Sequence, residues 1–248
     1  MVNLNQIKYF VFCCGKTGSS SLVKSLQHYF GFNSTIQVHG NNQFQEFYKK
    51  NENICDVIKN NSKKFDKIYI IDSYREPFER AVASFFQNID FHYPEWRLKS
   101  IDEIIEYFNS KNFILLDRYH SYYESWACFD ISTDIEFDFD KGYVLIEKDN
   151  MIFIKTRLNE SYRWSQIFSK ILNNNIKITE NNNSKEKPYY RQYEQFKKKY
   201  ILPNETKKQF LEVINNTSNQ NNPFHITWIE MNKFMTKNEI NEYIKKWL

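Results

Sequence analysis

No stretch of this chain approaches the roughly 18 consecutive apolar residues needed to cross a bilayer, and its start lacks a basic segment followed by an apolar run and a small-residue cleavage site. No helical membrane span is expected, and the chain reads as soluble and cytoplasmic. Cysteine is scarce: Cys13, Cys14, Cys55 and Cys128 give no C-x-x-C unit, which argues against structural zinc. Cys13 and Cys14, adjacent in an apolar run, read as reduced core residues, which fits a reducing compartment. No other grouping of metal-ligating side chains stands out. Charge of one sign is also lacking, since 34 basic residues face 30 acidic ones and the net +4 is spread in mixed runs. That balance gives little reason for a nucleic-acid partner and slight support for an anionic ligand. Neither an internal repeat nor a second domain is visible.

What is present suffices for a core. Hydrophobic residues make up 41% and aromatic residues 18% of the 248, enough for one α/β domain over residues 1–248 with a helical C-terminal extension. Residues 7–14 are apolar with little alternation, the pattern of a strand covered on both faces. A helix follows, with Leu22, Leu26 and Phe30 as its buried stripe and Gly31 as its stop. Further strands are predicted at 35–39 and 67–73, separated by a helix over 43–59 with Phe44, Phe47, Ile54 and Ile58 facing the core. Helices at 101–108 and 113–126, a strand pair at 142–147 and 151–155, and a helix over 160–172 come next. The asparagine-rich tract 173–187 reads as a mobile loop or a ligand lid. Thr236 and Glu239 sit at capping-box spacing and open a last helix with Ile240, Tyr243, Ile244 and Trp247 on one face. Strands alternating with helices predict right-handed βαβ units, whose ligands gather beyond the carboxyl ends of the strands.

Residues 12–26, FCCGKTGSSSLVKSL, place one lysine, two glycines and four hydroxyls between a strand and a helix start. Helix-start N–H groups, the Lys16 ammonium and the hydroxyls of Thr17, Ser19, Ser20 and Ser21 suit a phosphate or sulfate group. This is not a Walker A loop, which needs glycine five positions before the G-K-[ST] triplet, where this chain has Phe10. A serine-rich helix cap would account for Ser19 and Ser20 but gives no reason for Lys16 at a strand exit. A second segment, YREPFERAVASFF at 74–86, follows the strand at 67–73. Arg75 leaves the sheet edge, where a guanidinium can fork onto a phosphate, and Pro77 starts a helix. Arg80 and Ser84 lie one turn apart on that helix, although Glu76 offers Arg80 a surface ion pair instead.

In order and context these segments resemble the sulfotransferases that use 3'-phosphoadenosine 5'-phosphosulfate (PAPS). GKTGSSSL is similar to their 5'-phosphosulfate loop, K-[TS]-G-[GTS]-[TS]-[ST]-L, and YREPFERAVASFF to their 3'-phosphate segment, R-x-P-x-x-R-x-x-S. The remaining length is similar, more faintly, to the capsular-polysaccharide synthesis branch of the carbohydrate sulfotransferases. It shares WACFD at 126–130, FDFDKGY at 137–143, IKTRLN at 154–159, KPYYRQYEQFKKK at 187–199 and a terminal E-I-x-x-Y-x-x-x-W. The chain departs from the pattern where Ala83 takes the place of the serine and Ser84 follows one residue later. Such a shift is about 100° of rotation and 1.5 Å of rise along a helix.

The resemblance implies a P-loop-like three-layer α/β/α fold with a mainly parallel sheet. It implies in-line transfer of a sulfuryl group from PAPS to a hydroxyl acceptor, a glycan by family analogy, with adenosine 3',5'-bisphosphate leaving. Lys16, Thr17, Gly18, Ser19, Ser20 and Ser21 would hold the 5'-phosphosulfate, Arg75 and Ser84 the 3'-phosphate, and no metal is needed. His39, at the end of the second predicted strand, is the candidate general base, with His120 and Glu124 as alternatives. Lys185, Lys187, Tyr190 and Arg191 either close over the nucleotide or form a solvated helix face. The aromatics Phe91, Tyr93, Trp96, Tyr119, Tyr122, Tyr123 and Trp126 would suit a sugar cleft, but core packing explains such residues as well, and none is assigned to the site. Two other functions share the cradle: a P-loop-like nucleoside or sugar kinase, needing magnesium and an aspartate such as Asp72, and a catalytically silent nucleotide-binding relative.

Overall fold

The computed structural model describes residues 3–49, 51–116, 126–132, 135–181 and 184–248. In chain order the elements are β1 (Tyr9–Phe12), α1 (Ser19–Phe30), β2 (Thr35–Val38), α2 (Asn41–Tyr48), α3 (Ile54–Ser62), β3 (Ile68–Tyr74), α4 (Pro77–Gln87), α5 (Ile89–His92), α6 (Ile101–Ser110) and α7 (Phe113–Leu116). There follow β4 (Tyr143–Lys148), β5 (Met151–Arg157), α8 (Trp164–Leu172), α9 (Tyr190–Lys199), α10 (Asn204–Asn215), α11 (His225–Phe234) and α12 (Lys237–Trp247). They group into two compact units, one of Met1–Arg75 with Tyr119–Asn182, the other of Glu76–Arg118 with Asn183–Leu248.

The first unit is α/β. Its sheet has the order β2-β1-β3-β5-β4, parallel throughout except for β4, which pairs antiparallel with β5. Every residue of β1, β3 and β5 is buried, which is why β1 and the first halves of β3 and β5 read as apolar runs, while the polar residues of β3 and β5, Asp72, Ser73, Lys155, Thr156 and Arg157, are buried toward their carboxyl ends. β4 lies at the edge and is only partly covered. Alternation puts Tyr9, Val11, Tyr69, Ile71, Ile152 and Ile154 on one face, packed against Leu22 and Leu26 of α1 and Trp164, Ile167 and Phe168 of α8. On the other face Phe153 meets the rings of Trp126 and Phe129.

Three expectations change here. The helix expected over 43–59 is two helices: Lys49 ends α2 with φ 51°, and Asn53 opens α3 by accepting the Cys55 N–H on its side chain. Phe47 is consequently outside the core, 73% exposed. The helix expected over 160–172 opens with 3-10 turns at Leu158–Arg163 before α8 begins. Cys13 and Cys14 are free and buried as expected, but Cys55 and Cys128 form a disulfide, which a strongly reducing compartment would not sustain. Of the helix expected over 113–126, α7 accounts for the first turn; residues 117–125, with Tyr119, His120, Tyr122, Tyr123 and Glu124, lie outside the described residues.

The second unit is helical with an aromatic interior. Phe78 packs on Phe210, Tyr243 and Trp247, Phe85 on Phe108 and Phe113, and Phe86 on Tyr193 and Phe196. The Phe78 N–H, left over at a helix start, donates to the Tyr243 hydroxyl at 2.9 Å. The capping box at Thr236 and Glu239 forms as the sequence predicts, and Ile240, Tyr243 and Trp247 are buried. No helix among the described residues is long and apolar enough to cross a membrane.

Candidate functional site

The β1–β2 ladder continues one residue past β1, where the Cys13 N–H donates to Val38 O at 3.1 Å, and the chain must then turn into α1. Lys16 and Gly18 make that turn with positive φ, 69° and 88°. For a lysine this costs about 1–2 kcal/mol. At Gly18 the requirement is double, because a Cβ would lie 2.5 Å from Cη2 of Trp164 and 2.9 Å from Cδ1 of Leu158. Trp164 is in turn anchored by its indole N–H on the Arg157 carbonyl at 3.2 Å. Gly18 caps α1 without a side chain, and the first-turn N–H groups of a helix have no acceptor inside it. The result is a positive helix start with Lys16 and Ser20, both half-buried, beside it.

β3 leaves the sheet next to this loop. Arg75, the residue after β3, donates from Nη1 to the Lys16 carbonyl at 3.1 Å, so one of its five N–H groups fixes the loop. The Arg75 side chain therefore meets the backbone of the Lys16 loop at the carboxyl edge of neighbouring parallel strands.

The hydroxyls do not converge as that reading has them. Thr17 is buried and donates to Cys14 O at 2.8 Å, closing the loop from within. Ser19 accepts from Gln37 Nε2 at 2.8 Å, and Ser21 accepts from the Asn181 N–H at 2.9 Å.

That last contact ends a strap over residues 176–181. The N–H groups of Ile176 and Ile178 donate to Ser169 and Ser165 of α8 at 2.8 and 2.9 Å. Those of Lys177, Thr179 and Asn181 donate to Tyr29, Ser25 and Ser21 of α1 at 2.9, 3.0 and 2.9 Å. The match is geometric: two extended residues advance about 6.6–6.8 Å, close to the roughly 6 Å of four helical residues. The first half of the asparagine-rich tract is thus bonded along two helices.

His39 follows β2 at the same edge. Its Nδ1 lies 2.6 Å from Cys13 O and its Nε2 lies 2.7 Å from Gln37 Nε2, which links it to Ser19. Burial lowers the His39 pKa below its ordinary value; the Cys13 carbonyl opposes that, and the Lys16 charge adds to it. Asp72, one strand away on β3, faces Lys155 of β5 at 2.8 Å, with both side chains almost fully buried, and its Oδ1 accepts the Ser73 N–H at 2.7 Å.

The second motif straddles the boundary between the units. Arg75 belongs to the first, whereas Arg80, Ala83 and Ser84 lie on α4 in the second. There Arg80 is buried and Ser84 half-buried. In α9, Tyr193 and Phe196 face inward and Arg191 is exposed, while Lys199 pairs with Asp102 at 2.6 Å. Trp96 and Trp126 are core residues, and Phe91 is exposed.

Sequence reasoning missed Gln37, Trp164 and the strap. Gln37 had a visible signal, a polar residue two positions before His39 on the same strand and therefore on the same face. No family model, curated protein or solved structure matches this chain.

Proposed function

We propose that this chain is a sulfotransferase of the PAPS-dependent superfamily, with a P-loop-like arrangement, acting on a hydroxyl of a carbohydrate. The observation that carries the reading is the meeting of Arg75 with the Lys16 loop at the carboxyl edge of β1 and β3. The donor set fits an anionic nucleotide: an ammonium, a guanidinium, a helix start and the Ser20 hydroxyl.

PAPS supplies an activated sulfuryl group, and the acceptor oxygen bonds to sulfur as the sulfur–oxygen bond to the 5'-phosphate breaks, its electron pair staying on the phosphate. Lys16 offsets the charge that develops there, and the α1 start holds the 5'-phosphate. Arg75 binds the donor's phosphates and keeps the loop in shape. His39 takes the acceptor's proton; as a neutral, half-buried imidazole at the same edge, it is suited to that task. Most of the work is positioning and charge stabilisation, as in phosphoryl transfer.

A kinase would use an aspartate such as Asp72 on magnesium. The ion pair with Lys155 and the bond to Ser73 favour a structural part for that carboxylate instead. Calorimetry tests the choice. Binding of adenosine 3',5'-bisphosphate without magnesium supports the sulfotransferase, and preference for ATP with magnesium overturns it. Nucleotide binding with no sulfuryl transfer to any member of a glycan panel would point to a silent relative.

A further inference from the structure

His39 has two ring nitrogens, and only one of them can accept a proton. Nδ1 is committed: it lies 2.6 Å from Cys13 O, a group that only accepts, so Nδ1 carries hydrogen. In the neutral ring Nε2 is then a bare lone pair, and Gln37, 2.7 Å away, must turn its NH2 group toward it. The second hydrogen of that NH2 group meets Ser19 Oγ at 2.8 Å. A reversed amide would set its oxygen against the lone pair of Nε2, so ring and amide fix each other.

We propose that Gln37 is a positioning residue that holds His39 with Nδ1 protonated and Nε2 as its single proton-accepting atom, and ties that atom to Ser19 of the anion loop. The use of Nε2 as a base rests on the sulfotransferase reading; the protonation pattern does not. When Nε2 gains a proton, half a turn of the Gln37 amide lets Oε1 accept from both the Nε2–H and the Ser19 hydroxyl. One side chain thereby serves both states of the ring. Around His39, the Lys16 charge acts on the ring from the β1–α1 loop, the Cys13 carbonyl meets Nδ1 from the end of β1, and Gln43 of α2 accepts the His39 backbone N–H at 2.9 Å. Burial and the Lys16 charge both disfavour the imidazolium, so the neutral ring is the resting state near pH 7.

Long-range proton–nitrogen NMR of histidine-labelled protein reads the ring directly, without any turnover. The expected result is Nδ1–H with a bare Nε2, titrating below the ordinary value of about 6.5. Gln37→Glu, which can only accept, should place a proton on Nε2 and raise the titration by about one unit or more, a tenfold gain in proton affinity. Gln37→Met, which removes the donor without adding charge, should fall between the two. An Nε2–H in the wild-type protein, or the same titration in both variants as in wild type, overturns the proposal, and the wild-type spectrum decides even if a variant fails to fold. If the spectra are as expected but no sulfuryl transfer occurs with PAPS, the positioning of the ring stands and the catalytic reading falls.

Discussion

The guanidinium of Arg75 donates to the backbone carbonyl of Lys16 at 3.1 Å, joining the end of β3 to the loop that follows β1. The contact gives the two residues separable roles. Arg75→Ala removes charged hydrogen bonds worth about 1.5–3 kcal/mol, so adenosine 3',5'-bisphosphate should bind about 10- to 100-fold more weakly by calorimetry. Lys16→Ala should instead abolish turnover in a single-turnover assay, because its ammonium is needed chiefly when charge develops on the leaving group. Unchanged affinity in the first variant together with unchanged turnover in the second rejects the site.

The legible part of the site lay in local sequence. A buried strand, a lysine at its exit and a hydroxyl-rich helix start are consecutive residues, so 7–26 reads directly as strand, loop and helix. The destination of each hydroxyl was not legible, because Thr17, Ser19 and Ser21 are claimed by Cys14, Gln37 and Asn181, and two of those partners lie far away in sequence. The strap was hidden for the same reason. Its partners form two stripes, Ser21, Ser25 and Tyr29 on α1 and Ser165 and Ser169 on α8, which gain meaning only once both helices flank one extended chain. The break between α2 and α3 was local but quiet, since a single lysine with φ 51° and an asparagine cap outweigh the helical spacing of Phe44, Phe47, Ile54 and Ile58.

Gly18 carries a prediction independent of any ligand. Gly18→Ala forces a Cβ to 2.5 Å from the Trp164 ring and strains a backbone at φ 88°. Overpacking costs about 1–3 kcal/mol and left-handed backbone about 1–2 kcal/mol, so urea denaturation should show a loss of about 2–5 kcal/mol. Trp164→Leu in the Gly18→Ala background should recover part of the overpacking loss, as the two positions are in contact. Equal stability of Gly18→Ala and wild type would mean that the loop and Trp164 do not meet in this way.

The disulfide between Cys55 and Cys128 spans 73 residues of sequence, and the chain-entropy argument assigns such a closure about 4 kcal/mol. Reduction, or the double variant Cys55→Ser with Cys128→Ser, should lower the denaturation midpoint accordingly. Mass spectrometry of unfolded, unreduced protein treated with an alkylating reagent should count two modified thiols, Cys13 and Cys14. In the folded state these should react slowly, since burial pushes the Cys13 thiol far above its ordinary pKa. Four modified thiols without reductant would remove the bond from the account.

Asp72 and Lys155 sit opposite each other in the β3–β5 register, 2.8 Å apart, with side chains 0% and 1% exposed. A pair this deep is costly to desolvate, and its value emerges when one partner is removed. Lys155→Met leaves a carboxylate in the core of the sheet and should cost about 3–5 kcal/mol. Replacing both, as Asp72→Leu with Lys155→Met, should recover much of that loss, because no uncompensated charge remains. The reverse order of stabilities, with the double variant weaker than Lys155→Met, would show that Asp72 has a more demanding partner than Lys155. The same variants separate structure from chemistry: if the double variant folds and still binds adenosine 3',5'-bisphosphate without magnesium, Asp72 is not a metal ligand of the site, and the kinase reading loses its aspartate.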